Sequence, residues 1–192
     1  MPVSLTKGGN VSLTKIAPSL QSVRIGLGWD ARTTDGTPFD LDATALVCGP
    51  GDRVLSDQHF IFYNNLASPE GTVRHTGDIR DGAVAGDDEV LEVALSQLTP
   101  QTDKVVFSAT IHDADSRGQN FGQVKNAYIR VLDIATNEEL ARYDLSEDAS
   151  TETAMVFGEL YRHGAEWKFR AIGQGYASGL QGIITTYGVT LA

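Results

Sequence analysis

Alternation of apolar and polar residues is the feature of this chain that most limits its fold. Over residues 39–47, one face of an extended chain carries only apolar side chains, which are Phe39, Leu41, Ala43, Ala45 and Val47. The opposite face begins with Asp40, Asp42 and Thr44. Because successive side chains point to opposite faces of a strand, this pattern predicts a strand with one buried face and both aspartates on its solvent side.

The same period of two recurs along most of the chain. It predicts strands over 22–30, 60–65 and 89–98, and over 104–115 a β-branched strand that breaks into a polar loop. It also predicts a hairpin over 127–145 with Thr136 and Asn137 in its turn, and a second hairpin over 154–176 that turns near Gly164. A short helix is predicted over 176–189. No long amphipathic helices separate the strands, so an alternating βα fold is disfavoured. The sequence therefore predicts an all-β protein, an antiparallel β-sandwich with minor short helices, in a single domain over residues 1–192.

Charge and cysteine content exclude several classes of protein. Lys and Arg number 15 against 25 Asp and Glu, for a formal net charge of −10. This balance argues against nucleic-acid binding and against direct binding to an anionic membrane surface. Cys48 is the single cysteine, so no intramolecular disulfide forms. No segment has the length and apolarity of a signal peptide or a membrane span, and a cytoplasmic protein without direct membrane insertion is expected.

Carboxylates are concentrated in one predicted loop, residues 75–89. Its acidic residues are Asp78, Asp81, Asp87, Asp88 and Glu89, and its single fixed positive charge is Arg80. Closely spaced carboxylates repel one another unless a cation lies among them. A solvated acidic loop, screened by salt, is the simpler alternative.

Acidic and amide residues also occur where other predicted strands begin or end. These residues are Asp30, Asp40, Asp42, Asn64 and Asn65. Strand ends cluster in a sandwich, and Ca²⁺ takes about six to eight oxygen ligands at roughly 2.3–2.6 Å. Magnesium keeps more of its water and a transition metal prefers nitrogen or sulfur, so both are disfavoured. The pattern is not that of an EF-hand, because Arg32 stands where the second ligand of such a loop is required.

Motifs along nearly the whole chain resemble the TerD family of bacterial tellurite-resistance and stress proteins. The matching segments include VSLTKGGNVSLTK, IGLGWDAR, FDLDA, FIFYNNL, HTGD, GDDE, FGQV and WKFRAIGQGYA, in the same order. The resemblance implies a calcium-binding β-sandwich, encoded with other tellurium-resistance and stress genes, that binds more than one calcium ion; two are expected. The family's ligand positions match Asp30, Asp40, Asp42, Asn64, Asn65, Asp78, Asp87, Asp88 and Glu89.

One segment departs from the family pattern. Family members usually read GDNRTG or GDNLTG, whereas this chain reads GDIRDG over residues 77–82. Ile79 replaces an amide and can contribute only its backbone carbonyl, whereas Asp81 replaces a hydroxyl and can compensate as a ligand. Asp78 is therefore the firmer prediction, and Asp81 is added to the metal-ligand set.

Three functions remain open at this point. The favoured one is a calcium-dependent interaction module in the stress response, without enzymatic activity. The resemblance implies other tellurium-resistance and stress proteins as partners, including a membrane-embedded one that would hold the protein at the inner membrane. The alternatives are an enzyme acting on tellurite or another oxyanion and a purely structural assembly subunit. The enzyme is disfavoured because one cysteine and no cofactor motif leave little means for redox chemistry.

Overall fold

The computed structural model describes residues 2–30, 41–76, 87–111, 114–145 and 152–190. The strands in these ranges are β1 (Val3–Leu5), β2 (Asn10–Ser12), β3 (Val23–Asp30), β4 (Leu41–Cys48), β5 (Phe60–Ile61), β6 (Val73–His75), β7 (Glu89–Val93), β8 (Lys104–Ile111), β9 (Lys125–Asp133), β10 (Glu139–Asp144), β11 (Ala154–His163) and β12 (Glu166–Tyr176). The helices are α1 (Leu13–Ile16), α2 (Ala114–Arg117) and α3 (Leu180–Tyr187). Single 3-10 turns cover Pro50–Asp52, Asp57–His59, Leu95–Gln97 and Phe121–Gln123. None of these helices is long and apolar enough to cross a bilayer.

The strands form two sheets that pack face to face. Sheet A has the order β1-β10-β9-β3-β7-β6, and sheet B has the order β2-β12-β11-β8-β4-β5. Neighbouring strands are antiparallel except for β1, which runs parallel to β10. The predicted all-β sandwich is confirmed. Both predicted hairpins are also present, with positive φ at Asn137 (59°) and Gly164 (60°) in their turns.

Side-chain alternation places the core between the two sheets. On sheet A, Val23, Ile25 and Leu27 of β3 are at most 1% exposed and face sheet B. On sheet B, Leu41 and Ala43 of β4 face inward to the same core. Here the inner face of each sheet is the one toward the core, and the outer face is the opposite one. The predicted inward positions of β4 are therefore confirmed over its described length.

Helix α3 covers the outer face of sheet B and makes a third layer. Ile183 and Ile184 of this helix belong to the same second buried cluster as Leu46 and Cys48 of β4. Thr44 is only 2% exposed and its hydroxyl contacts that of Ser108. The prediction that this side of β4 faces solvent is therefore wrong beyond Asp42.

The N-terminal segment ties the two sheets together. The pentapeptide VSLTK occurs twice, over residues 3–7 and 11–15, with different structures. The first copy supplies β1 of sheet A, whereas the second supplies β2 of sheet B and then begins α1. Ser12 stops the strand because its side chain caps α1, accepting a hydrogen bond from the Lys15 N–H (3.2 Å). Context, not the local sequence, decides which structure each copy adopts.

Candidate functional site

Strand ends from both sheets meet at one end of the sandwich. In sheet A, β3 ends at Asp30 beside Lys125, the first residue of β9, and β7 begins at Glu89 against the same part of β3. In sheet B, β4 begins at Leu41 opposite Ile111, the last residue of β8. We call this the acidic end, defined by Asp30, Leu41, Glu89, Ile111 and Lys125.

Backbone hydrogen bonds hold the connecting segments in place there. The Phe121 N–H, in the connection between β8 and β9, donates to the Glu152 carbonyl just before β11 (2.8 Å). The Ile111 N–H of sheet B donates to the neighbouring Thr153 carbonyl (3.0 Å). The predicted clustering of strand ends is therefore present.

Four chain segments outside the described residues all connect strands at the acidic end. They are 31–40, 77–86, 112–113 and 146–151. Between them they carry seven acidic residues, which are Asp35, Asp40, Asp78, Asp81, Asp113, Glu147 and Asp148, and two arginines, Arg32 and Arg80. The predicted ligands Asp40, Asp78 and Asp81 belong to these segments, and the side chain of Asp30 is also outside what the structure describes, so these four stay predictions.

Asp87 is held by protein groups on the outer face of sheet A. Its Oδ1 accepts hydrogen bonds from the Tyr128 hydroxyl (2.6 Å) and from Arg130 Nε (2.9 Å), and its Oδ2 accepts from Arg130 Nη2 (2.9 Å). The Asp87 side chain is 0% exposed. Burial and the neighbouring Asp87 carboxylate both raise the pKa of Tyr128, so this hydroxyl stays protonated and donates.

Asp88 and Glu89 follow directly but face different surroundings. Asp88 Oδ2 accepts a hydrogen bond from the Trp29 N–H (3.0 Å). Glu89 lies in register with the inward-facing residues of β7, and its Oε2 is 3.2 Å from His75 Nε2. That contact is close enough for an ion pair, yet among the described residues Glu89 Oε2 accepts no well-formed hydrogen bond. A buried carboxylate oxygen without a donor is an available ligand for a cation.

Asp42 lies in the other sheet, away from Asp87. Leu41 and Ala43 face the core, so alternation places the half-buried Asp42 on the outer face of sheet B. Asp87 lies on the outer face of sheet A. The structure therefore places these two predicted ligands on surfaces that point away from each other, and they do not share one ion.

The two asparagines occupy a tight turn, not the end of a longer strand. Strand β5 ends at Ile61, and Phe62 and Asn65 then exchange two backbone hydrogen bonds (3.0 and 2.9 Å) across the turn. The Asn65 side-chain nitrogen donates to the carbonyls of Gln58 (2.9 Å) and Phe60 (2.8 Å), so only its oxygen remains for a metal. Asn64 is exposed at the tip. Asparagine favours such turns, which explains why the predicted strand ends early.

The described residues do not complete a metal site by themselves. Within those ranges, no group of three or more His, Cys, Asp or Glu side chains could hold a metal ion. At the acidic end they provide two carboxylates, Asp88 just before β7 and Glu89 at its first residue.

Sequence patterns did not identify Arg130 or Tyr128 as partners of Asp87, because both lie more than forty residues further along the chain. The available signal was Gly26 within β3, since glycine inside a strand marks a close approach of other atoms.

Sequence spacing also missed a serine, a histidine and a glutamate joined by hydrogen bonds. Ser56 Oγ lies 2.7 Å from His59 Nδ1, and His59 Nε2 lies 2.8 Å from Glu70 Oε1. His59 is 7% exposed, and both of its ring nitrogens are engaged. The chain of hydrogen bonds links the turn before β5 to the turn before β6.

Cys48 lies in the second buried cluster, on the outer face of sheet B. It is 0% exposed, and burial raises the pKa of its thiol to about 12. Because the thiolate is the reactive form, this side chain is not a nucleophile near neutral pH. Cys48 is therefore a small core residue.

The fold and sequence agree with a family of known proteins. The family model described as "TerD domain" matches residues 1–187. The chain is 58% identical over 189 residues to tellurium resistance protein TerD of Serratia marcescens, covering 98% of each chain. It is 52% identical over 190 residues to general stress protein 16U of Bacillus subtilis (strain 168), covering 98% of both. The chain belongs to the TerD family, whose members include tellurium-resistance and stress-response proteins.

A solved structure shares the fold. A homologue of telluride resistance protein (TerD) from Streptomyces coelicolor A3(2) superposes with a TM-score of 0.67 at 24% identity, covering 91% of this chain and 100% of that one. This likeness supports the two-sheet architecture.

Proposed function

We propose that this protein binds calcium at the acidic end of the sandwich and acts as a calcium-dependent interaction module in the stress response. The single observation that carries the proposal is that the described strands next to the acidic segments have their ends together at the acidic end. The sequence of those segments contains seven carboxylates, Glu89 begins β7 at the same end, and Asp88 directly precedes it. Oxygen-rich, acidic ligand sets favour Ca²⁺ over transition metals.

The described residues fit such an ion in part. Glu89 Oε2 is a buried oxygen without a hydrogen-bond donor among the described residues, as an unfilled ligand position would be. Asp88 is fixed by its bond to the Trp29 N–H, which orients its carboxylate. Asp42 and the Asn65 oxygen are further candidates on sheet B. Asp30, Asp40, Asn64, Asp78 and Asp81 complete the proposed set from sequence, and two ions are proposed.

Electrostatics connect binding to interaction. A bound calcium ion supplies two positive charges. The carboxylates at the acidic end repel one another without a cation, and binding one removes much of that repulsion. The surface presented to a partner then changes both in charge and in order. Other tellurium-resistance and stress proteins, one of them embedded in the membrane, are the proposed partners.

Thiol chemistry at Cys48 is not favoured as an alternative. An enzyme acting on tellurite would need a redox-active group, and this thiol is buried with a pKa raised to about 12. A purely structural subunit is separated from a calcium-dependent one by whether partner capture requires calcium.

Substitution of Asp88 and Glu89 tests the site directly. In calorimetric titrations with calcium, the Asp88→Asn, Glu89→Gln double variant should bind at least tenfold more weakly than the parent, because two charged oxygen donors are lost. Glu138→Gln, an exposed glutamate in the β9–β10 turn at the opposite end, is the matched control and should bind as the parent does. Equal affinity in all three proteins would remove these two residues from the site.

A further inference from the structure

We propose that Asp87 is a positioning residue, held by Arg130, that fixes the chain before β7, and that it is not itself a calcium ligand. This inference rests on the proposed function for its effect on calcium. We call Asp87 and its bonds to Arg130 and Tyr128 the anchor. The anchor consists of contacts among described residues.

The Asp87 carboxylate already accepts hydrogen bonds from three protein donors on its two oxygens. Arg130 binds it with two nitrogens, Nε at 2.9 Å from Oδ1 and Nη2 at 2.9 Å from Oδ2, and the Tyr128 hydroxyl adds a third bond at 2.6 Å. Two-nitrogen arginine–carboxylate pairs are among the strongest hydrogen-bonded pairs in proteins. A calcium ion at 2.3–2.6 Å from these oxygens would need to displace the guanidinium or lie beside its positive charge.

Sheet A is shaped to receive this side chain. Gly26 and Gly28 of β3 lie directly opposite Arg130 and Tyr128 of β9. A Cβ at Gly26 would clash with Asp87 Oδ2, and one at Gly28 would clash with the Tyr128 ring. The two glycines thus leave a space on the outer face, and Asp87 and Tyr128 fill it.

The anchor determines which way the next carboxylates point. Asp87 lies on the outer face of sheet A, whereas Glu89 is in register with the inward-facing Leu91 and Val93. The two residues are only two positions apart, so the chain bends at Asp88 and does not follow strand alternation from Asp87 to Glu89. Holding Asp87 on the outer face fixes the position of this bend, and with it the register in which β7 begins with Glu89 inward beside His75.

Two variants separate an anchor from a ligand, because the two roles predict opposite changes in calcium affinity for Arg130→Gln. If Asp87 is an anchor, Asp87→Asn and Arg130→Gln should both weaken calcium binding by about tenfold, as loss of a supporting group typically does, without changing the number of ions bound. The double variant should be no weaker than either single one. If Asp87 is a ligand, Arg130→Gln should tighten binding, because it removes a positive charge beside the ion, and Asp87→Asn should lose an ion. That pattern would overturn the proposal.

Arg24→Gln is the matched control. Arg24 lies on the same face of sheet A, with a side-chain exposure of 19% against 17% for Arg130, and pairs with Glu92 at 3.5 Å instead of Asp87. Its substitution should leave calcium affinity unchanged. An equal loss in Arg24→Gln and Arg130→Gln would show a general charge effect and overturn the anchor.

A calcium-free readout keeps the two proposals separate. The Asp88 N–H donates to the Leu27 carbonyl (2.9 Å) immediately after the anchor. In calcium-free protein, amide exchange at Asp88 should be faster in Asp87→Asn and Arg130→Gln than in the parent or Arg24→Gln. Tyr128→Phe removes one hydrogen bond and no charge, so it should increase the exchange rate at Asp88 by a smaller amount. This variant replaces the other two in the test if they do not fold. Unchanged exchange at Asp88 in all variants would overturn the anchor, whereas absence of calcium binding in the parent would overturn only the proposed function.

Discussion

The buried His59 is hydrogen-bonded to the partly exposed Glu70, and the contribution of this pair to stability depends on pH. Burial alone would raise the pKa of Glu70, but the hydrogen bond from His59, a backbone hydrogen bond, the charge of His59 and a bond from Ser68 together lower it below its ordinary value of 4.5. A lowered folded-state pKa stabilises the protein above the unfolded-state pKa. That contribution is lost as pH falls through the folded-state value.

Glu70→Gln should therefore be destabilising at neutral pH and progressively less so in acid. The expected loss in the free energy of unfolding at pH 7 is about 1 kcal/mol, the usual size for one such hydrogen bond. Urea denaturation of both proteins between pH 7 and pH 3 measures it, with the difference shrinking below about pH 4.5. A difference that stays constant over this range would show that the charge of Glu70 contributes nothing.

Residue roles were harder to predict than residue positions. The sequence placed Asp88 and Glu89 at the start of a strand, and the structure has them there. It could not show that Asp87 pairs with Arg130, because the partner is 43 residues away and alternation says only that both lie on a sheet surface. Charge pairing across neighbouring strands depends on register, which a single sequence does not specify.

At the scale of secondary-structure elements, α3 turns a two-layer sandwich into three layers over sheet B. Ile183 is 0% exposed and packs in the same cluster as Leu46, Val106 and Val156. The helix ends at Gly188, whose φ of 76° suits a left-handed cap.

Ile183→Ala should reduce the free energy of unfolding by about 2–5 kcal/mol, because it opens a cavity between α3 and sheet B. Gln181→Ala, on the exposed side of the same helix, should change it by less than about 0.5 kcal/mol. Chemical denaturation gives both values. Similar stabilities for the two variants would mean that α3 contributes little to the fold.

The sequence predicted which segments form strands, but it did not predict which faces of the strands are covered by other parts of the chain. Strands β3, β4, β7 and β8 occur where alternation predicts strands, but β7 ends at Val93 and a 3-10 turn covers Leu95–Gln97, where the strand was predicted to continue to residue 98. The outer positions Thr44 and Leu46 of β4 are buried, although alternation alone leaves that side open to solvent. The cluster that buries Leu46 includes Ile183 and Ile184 of α3, which lie far along the chain.

At the scale of the whole molecule, negative charge is distributed unevenly. The formal net charge is −10, and seven of the 25 acidic residues lie in the four short segments that join strands at the acidic end. Such a concentration is electrostatically unfavourable by itself and is relieved by a divalent cation. Calcium binding should therefore be coupled to the stability of the entire domain.

Thermal unfolding with and without calcium tests this coupling most directly. A ligand at about 100 times its dissociation constant adds about 2.7 kcal/mol to the free energy of unfolding. For a chain of 192 residues this should raise the melting temperature by roughly 5–10 °C in calcium relative to chelator, with a smaller rise in magnesium. Identical melting curves in millimolar calcium and in excess chelator would contradict calcium binding at the acidic end.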